Sequence, residues 1–474
     1  MIGRKQEKAY LLELSEREEA QLVAVYGRRR VGKTYLVRQT FGEKLLFEHT
    51  GLYKVGLAGQ LDAFRASLLR SGAKDVPKLN SWQEAFQALG QLISGKKRRR
   101  IVFMDELPWM DTHKSDFVPA FEHFWNGWAS AQNKLTLVFC GSATSWIIRK
   151  VLKNKGGLHN RVTGQIALAP FSLAECKAFA ASMKLPYTDY DIAEAYMIFG
   201  GIPYYWSFLK ANESLAQSVD RLFFAERGPL RNEYSELYAS LFNAEERYLK
   251  IVETLAKKKM GLTLSELALA VNNSKGGGFS KQLEELEQCG FIRRYTNWNK
   301  KKREAIFQLI DNFTLFHFSF LANESNPDPH FWSLASESSS LWVWKGLAFE
   351  RLCLQHIPQI KKALGISGVL TKVYAWRHLP NDVYPQGAQI DLIIERADRV
   401  INLCEMKWTD EEFVITKEYD AKLLTKKAVF RAVTGTRLAL HLTLVSPYGA
   451  IHNKYWGDLQ SEVMLEALFE EIAS

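Results

Sequence analysis

Gly27, Arg28, Arg29, Arg30, Val31, Gly32, Lys33 and Thr34 spell GxxxxGK[ST], directly after an apolar run and before a helical pattern. A loop of this composition is suited to holding phosphate. Its glycines let backbone N–H groups curl around phosphate oxygens, with the positive end of the following helix dipole behind them. Lys33 is expected to reach the β- and γ-phosphates of a nucleotide, and the Thr34 hydroxyl to bind Mg²⁺. A second apolar run, residues 101–104, ends in Asp105 and Glu106. Asp105 is expected in the Mg²⁺ shell, and Glu106 to orient or deprotonate the attacking water. These two segments predict ATP and Mg²⁺ as ligands. Turnover also needs a polar group at the γ-phosphate. Ser142, at the end of a further apolar run, is a candidate sensor of that phosphate. Arg161 is the candidate arginine finger, with a surface arginine as the competing reading and Arg149 as a weaker rival.

A second constellation lies far downstream. Asp391, then Glu405 and Lys407, follow the D…ExK pattern of PD-(D/E)xK nucleases, and Glu350 matches their accessory acid. Two carboxylates would hold Mg²⁺ while Lys407 positions water and steadies the developing phosphorane charge. With each residue type near 6% and a loose gap, D…ExK arises roughly once per chain by chance. Its weight therefore rests on the elements around it. A Glu–Lys surface pair on a scaffold strand is the alternative.

Periodicity supplies those elements. Runs at residues 21–26, 100–104 and 135–140 read as buried parallel strands alternating with helices, up to about residue 170. The loop, the acid pair and Ser142 then each follow a strand end. From about 172 to 241 the pattern is helical, broken at Gly200-Gly201-Ile202-Pro203. Residues 245–310 read as a small helical unit: a helix capped near Thr263, another over 279–289 closed by Gly290, and a hairpin of 291–295 with 305–309. Lys300, Lys301, Lys302 and Arg303 sit at the hairpin tip. After a Ser/Asn/Pro-rich stretch comes a helix near 345–363, with strands near 369–376, 389–395 and 400–407. A helix at 416–432 and a strand at 438–446 follow. Glu405 and Lys407 alternate on one strand and so share a face. If the segment before them pairs as a hairpin, Asp391 joins them.

Composition sets the outer bounds. A chain of 474 residues predicts two to four domains, and 47% apolar with 24% charged residues is globular rather than disordered. The longest apolar run, 135–139, is far too short to span a membrane. The opening residues carry no secretory pattern, so a cytoplasmic location is expected. Cys140, Cys176, Cys289, Cys353 and Cys404 are scattered and read as reduced core thiols. No HExxH, Cys/His cluster or Gly-x-Ser-x-Gly elbow is present, which argues against zinc-dependent and serine-hydrolase chemistry. The net charge of +10 is partly clustered at 96–100 and 300–303, as solvated faces or as contacts to phosphate.

The chain resembles the prokaryotic AAA+/STAND-type ATPases once called archaeal ATPases. The resemblance rests on Ile2-Gly3-Arg4, the arginine-rich loop 27–34, Asp105-Glu106, Gly141-Ser142, Arg161 before Pro170-Phe171-Ser172, and Gly200-Gly201-Ile202-Pro203-Tyr204-Tyr205. It implies an α/β P-loop NTPase with a helical lid, a winged helix and a C-terminal restriction-endonuclease-like α/β domain. The corresponding boundaries are 1–171 for the ATPase core, 172–243 for the lid, 244–322 for the winged helix, 323–340 for a linker and 341–474 for the nuclease-like domain. It also implies that Gly3 and Arg4 lie near the adenine and that the Gly-Gly-Ile-Pro segment belongs to the lid.

The expected function is an ATP-binding and ATP-hydrolysing protein coupled to a DNA-directed, metal-dependent nuclease-like domain. The alternative is a nucleotide-switched signalling or regulatory ATPase whose C-terminal domain only binds DNA or protein. One feature opposes base reading by the winged helix. Its recognition helix carries Glu284, Glu285 and Glu287 against Lys281, and an acidic helix is repelled by phosphate. The expected partners are ATP and DNA, with no membrane. A finger such as Arg161 often acts across subunits, which keeps a homo-oligomer open.

Overall fold

The structure, a computed structural model, describes residues 2–94, 98–153, 156–158, 160–242, 245–272, 276–296, 298, 304–322 and 328–472. The basic groups Lys96, Lys97 and Lys300 to Arg303, read as solvated faces or as phosphate contacts, lie outside the described residues. The chain forms two compact units. One comprises Met1–Pro170, Ser235–Glu245 and Glu284–Cys289, and the other comprises Phe171–Tyr234, Glu246–Leu283 and Gly290–Ser474.

The first unit opens with α1 (Lys5–Glu16), β1 (Gln21–Tyr26) and α2 (Lys33–Phe41), followed by β2 (Leu45–Thr50). Helices α3 (Trp82–Ser94) and α4 (Phe117–Gly127) alternate with β3 (Arg100–Asp105) and β4 (Leu135–Gly141), and β5 (Gly164–Ala167) ends the sheet. The strand order is β2-β3-β4-β1-β5, and every pairing is parallel. All strand ends therefore open on one edge, where ligands of such sheets sit. The three central strands are buried almost throughout, which is why they read as continuous apolar runs. Trp82 and Phe86 of α3 meet Phe117 and Phe121 of α4 at ring separations of 4.9–5.9 Å, closing one face. Each such buried ring contributes about 1.5–3 kcal/mol from area alone.

The second unit begins with α5 (Leu173–Ser182) and α6 (Asp189–Phe199). Ser172 starts α5 with a reciprocal capping box to Glu175. Phe171 donates its N–H to Gly201 O at 2.6 Å, and a Cβ on Gly201 would lie 1.9 Å from Phe171 O, so that position takes only glycine. Next come α7 (Glu245–Ala256), β6 (Leu262–Thr263), α8 (Leu264–Ala270), α9 (Gly277–Gln288), β7 (Ile292–Tyr295) and β8 (Ile306–Leu309). β7 and β8 pair antiparallel, as the alternation predicts, and β6 adds a third strand against β8 that was not foreseen. The last part of α9 groups with the first unit.

The final part contains α10 (Ser339–Gln355), β9 (Thr371–His378), β10 (Ala388–Arg396), β11 (Val400–Met406), α11 (Lys417–Thr434), β12 (Ala439–Ser446) and β13 (Ser461–Met464). The helix expected near 345–363 is two helices, because the chain breaks at His356 before Pro358. The stretch 323–340 expected as a linker holds a helical turn, Phe331–Leu334, whose Trp332 is buried against Phe316 and Trp344. β9, β10 and β11 form an antiparallel meander, to which β12 and then β13 add in parallel. α11 packs on β10 and β12, with Leu423 and Phe430 in the core beside Ile401 and Leu403. Trp298, in the hairpin after β7, donates its N–H to Ala375 O at 3.1 Å and packs edge-on against Tyr374 and Phe430.

Candidate functional site

In the first unit the loop after β1 is shaped by backbone geometry. Gly27 has φ 149°, and a Cβ there would lie 2.3 Å from Leu168 O. Arg30 adopts φ 70°, and Gly32 caps α2. The first-turn N–H groups of a helix have no partner inside it, so those of α2 are available to an anion. Lys33 is buried, and its ammonium donates to Gly27 O and Arg28 O, both at 3.0 Å. A cation resting on its own loop's carbonyls marks the place where phosphate charge would draw it away.

Strand β3 brings the acids to this loop. Thr34 Oγ1 donates to Asp105 Oδ2 at 2.9 Å. Asp105 Oδ1 accepts from the Cys140 thiol at 2.6 Å and from Glu106 N–H at 3.0 Å. Burial, with Asp105 and Glu106 nearby, raises the Cys140 thiol well above its ordinary value, so it stays a donor. Glu106 itself sits in the left-handed region at φ 48°, a cost that non-glycine residues bear mostly at functional positions. Its Oε2 accepts from both the N–H and the hydroxyl of Ser142, each at 2.9 Å. Because β4 lies between β1 and β3, Ser142 stands beside the acids, where it holds Glu106. The residues fit a magnesium nucleotide: one hydroxyl and one carboxylate already touch, with a lysine at the loop.

The remaining candidates of this unit separate. Arg4, at φ 57°, donates to Ala169 O at 2.6 Å and Val31 O at 3.4 Å, which ties the opening segment with Gly3 to the loop. Arg28 is buried, Arg29 half-buried, and Arg30 lies 3.7 Å from Glu236. Arg161 is exposed, and its N–H caps Leu158 O. Arg149 forms an ion pair at 2.8 Å with Glu285, whose side chain is only 7% exposed. That burial accounts for one acid of the acidic helix α9, whose charge therefore need not face solvent.

In the second unit Asp391 and Glu405 lie on adjacent antiparallel strands, one step beyond the Leu392–Cys404 pair. Between Ile390 and Ile393 the register of β10 against β9 slips by one residue, a bulge at Asp391 of the kind that re-aims a side chain. Glu405 shares its face with Ile401 and Leu403, toward α11. Its Oε1 accepts from Tyr419 at 2.6 Å and lies 3.2 Å from Lys407, and Lys426 donates to Oε2 at 2.6 Å. Burial pushes the Glu405 carboxyl up, but Lys426, Lys407 and Tyr419 outweigh it and hold it below its ordinary value. Asp391 accepts from Gln389 at 2.7 Å, and burial with nearby Glu405 raises its carboxyl. Glu350 on α10 is pushed to about 7 by burial and then by Asp391, with Lys407 opposing. Glu350, Asp391, Glu405 and Lys407 thus lie close enough to act on one another's charge. Tyr419, Lys426 and Gln389 were missed. Tyr419 and Lys426 are seven residues apart on α11 and so share a face, but their spacing does not point to Glu405.

Two oxygen-donor carboxylates on neighbouring strands suit a hard divalent cation, and the two lysine ammoniums on Glu405 occupy part of that positive charge's place. Among the described residues, no group of three or more His, Cys, Asp or Glu side chains is arranged to hold a metal. No helix among them is long and apolar enough to cross a membrane.

Residues 1–208 match the sequence model of a family described as an ATPase domain predominantly from Archaea. The chain is 25% identical over 420 residues to the uncharacterized protein MJECL04 of Methanocaldococcus jannaschii, spanning 86% of this chain and 88% of that one. It is also similar to the solved Walker-type ATPase PABY2304 of Pyrococcus abyssi, at 18% identity and a TM-score of 0.49, covering 67% of this chain and 96% of that one. The Aeropyrum pernix ORC2 protein is a more distant likeness, 13% identical with a TM-score of 0.42, covering 67% and 93%. The N-terminal part of the chain is therefore an ATPase domain of the archaeal type, on a parallel α/β sheet with a nucleotide-binding P-loop.

Proposed function

We propose that this protein binds and hydrolyses ATP with Mg²⁺ at its N-terminal domain, and that nucleotide state controls a DNA-directed, metal-dependent nuclease-like domain at residues 341–474. The domain boundaries stated above, including the lid and the winged helix, belong to the same reading. What carries it is the convergence of Glu350, Asp391, Glu405 and Lys407, from α10, β10, β11 and the residue just past β11, at one bulged strand pair. A chance D…ExK would scatter.

At the ATPase site Lys33 leaves its loop carbonyls for the β- and γ-phosphates. Thr34 and Asp105 would hold Mg²⁺, which supplies charge neutralisation between those phosphates. Glu106, fixed by Ser142, orients the attacking water. Arg161 is assigned to the γ-phosphate from a neighbouring copy. At the second site Asp391 and Glu405 would hold Mg²⁺, which supplies a polarised water. Lys407 would orient the attacking water toward the scissile phosphate, and Glu350, with its raised affinity for a proton, would accept the proton that water gives up.

The helix-strand-helix-helix-hairpin order of α7 to β8 supports a winged helix, although its wing residue Trp298 is spent on β9 rather than left for DNA. A second reading has a specific observation in its favour. Both oxygens of Glu405 are already engaged by Lys407, Lys426 and Tyr419, as in a domain that only binds its partner. Cleavage assays on DNA with Mg²⁺ or Mn²⁺ separate the two. Asp391→Ala and Lys407→Ala should abolish cleavage under the first reading, whereas ATP turnover with no cleavage of any nucleic acid supports the second.

A further inference from the structure

Beside the acid cluster, within the second unit, lies a cavity of about 160 Å³. Lys259, Arg293, Tyr295, Glu350, Arg351 and Asp391 are among the residues that line it. Three cations and two carboxylates thus face one small space. Nothing in the proposed cleavage uses the cations.

Arg351 is the anomaly. Its Nε and Nη2 are buried, with no hydrogen-bond partner among the described residues. A buried guanidinium stripped of water and left unpaired is costly, and such groups point to an ion or water that completes them. Arg293 is held in place by Gln308, to which its Nε donates at 2.8 Å, and it lies 4.8 Å from the Tyr295 ring. Gln308 is fixed in turn by Lys259 O at 2.6 Å, and the Tyr295 hydroxyl by Met260 O at 2.6 Å. One arginine is therefore pre-positioned, and the other has two buried nitrogens without a hydrogen-bond partner among the described residues.

We propose that this cavity binds a phosphomonoester at the end of a nucleic-acid strand, held by Arg293 and Arg351 with Lys259 in support. Guanidinium forks match phosphate oxygens two at a time, so the grip is direct contact and does not depend on net charge, which Glu350 and Asp391 reduce. Size selects the group. A cavity near 150 Å³ takes a benzene-sized molecule, enough for a phosphate and an adjoining atom but not a base. A phosphate inside a strand must continue on both sides, whereas a terminal one needs a single entrance. The inference rests on the reading that the C-terminal domain handles nucleic acid, and it adds that the β6-β8-β7 sheet supplies part of that site.

The test is binding of one labelled single-stranded oligonucleotide to the full chain in EDTA, which stops metal-dependent cleavage. The strand carries a 5′-phosphate, a 3′-phosphate or only hydroxyl ends. One phosphorylated end should bind about tenfold more tightly than the hydroxyl form, the worth of one charge-assisted contact. Arg351→Met and Arg293→Gln should each erase that preference while hydroxyl-end binding and the melting temperature hold. Should Arg351→Met fail to fold, Arg293→Gln alone decides. Millimolar inorganic phosphate should also erase the preference. Equal affinity for all ends, a preference that survives Arg293→Gln, or no oligonucleotide binding at all overturns the proposal. Cleavage without end preference would sink the cavity and spare the nuclease reading, and end preference without cleavage would do the reverse.

Discussion

The two acid sites of this protein use the same residue types and hold them differently. Asp105 and Glu106 are contacted by Thr34, Cys140 and Ser142, which are neutral donors. Glu405 is contacted by Lys407 and Lys426, which are cations, and by the Tyr419 hydroxyl. At the first site the negative charge is left for an incoming metal, and the only ammonium at the loop, Lys33, rests on carbonyl oxygens. At the second site the charge of Glu405 is already engaged by cations, while Asp391 accepts from the neutral Gln389 amide. An acid pair held by hydroxyls is therefore ready for its ion, whereas an acid held by lysines must release them, or use them, before an ion can enter.

The largest effect expected from this contrast is at Lys33. Lys33→Ala should weaken ATP binding by about a hundredfold or more, because several charge-assisted contacts of about 1.5–3 kcal/mol are lost together. Titration with a fluorescent ATP analogue measures it. Glu106→Gln should bind ATP normally and lose turnover by about 10²–10⁴-fold, read by phosphate release. Equal turnover would reassign the base.

Lys426→Met strikes the second site directly. Without metal it should cost about 1.5–3 kcal/mol in unfolding free energy from denaturant titration, as losing a charged hydrogen bond in a partly buried pair does. Mg²⁺ should recover part of that loss in the variant more than in the wild type. An unchanged midpoint would mean that Glu405 is not held by cations, and the contrast would collapse.

Glu350 sharpens the comparison through pH. Its carboxyl titrates near 7 when folded, against an ordinary 4.5. The stability from its protonation is therefore complete below about 4.5 and gone above about 7. Glu350→Gln should thus raise the melting temperature by a few degrees at pH 8 and change it little at pH 4. The smallest effect belongs to Arg149→Ala. It should cost under about 1 kcal/mol in thermal or chemical unfolding, since the arginine is largely exposed although its partner Glu285 is not.

How much of this was legible depended on how local each feature is. The loop 27–34 and the Asp105-Glu106 pair are contiguous, and the strands beneath them are buried on both faces, so β1 was read at its observed bounds. β2 and β5 escaped notice because they are the sheet's edges. β2 is half polar along Leu45–Thr50 and β5 is four residues long. The D…ExK residues were legible as a set, but their neighbours were not. Lys426 comes from α11 and Gln389 acts beside a bulge, and neither position is marked by spacing from Glu405. Glu285 was counted with Glu284 and Glu287 as a charge opposing phosphate, because helix periodicity does not reveal a partner as distant as Arg149.

The most direct measurement is cleavage of supercoiled plasmid and linear DNA with Mg²⁺ or Mn²⁺, with and without ATP. Wild type, Lys33→Ala, Asp391→Ala and Lys407→Ala run side by side. The account predicts cleavage that responds to ATP in the wild type, loses that response in Lys33→Ala, and vanishes in both C-terminal variants. Cleavage that persists in Asp391→Ala and Lys407→Ala, or ATP turnover with no cleavage of any substrate, would contradict it.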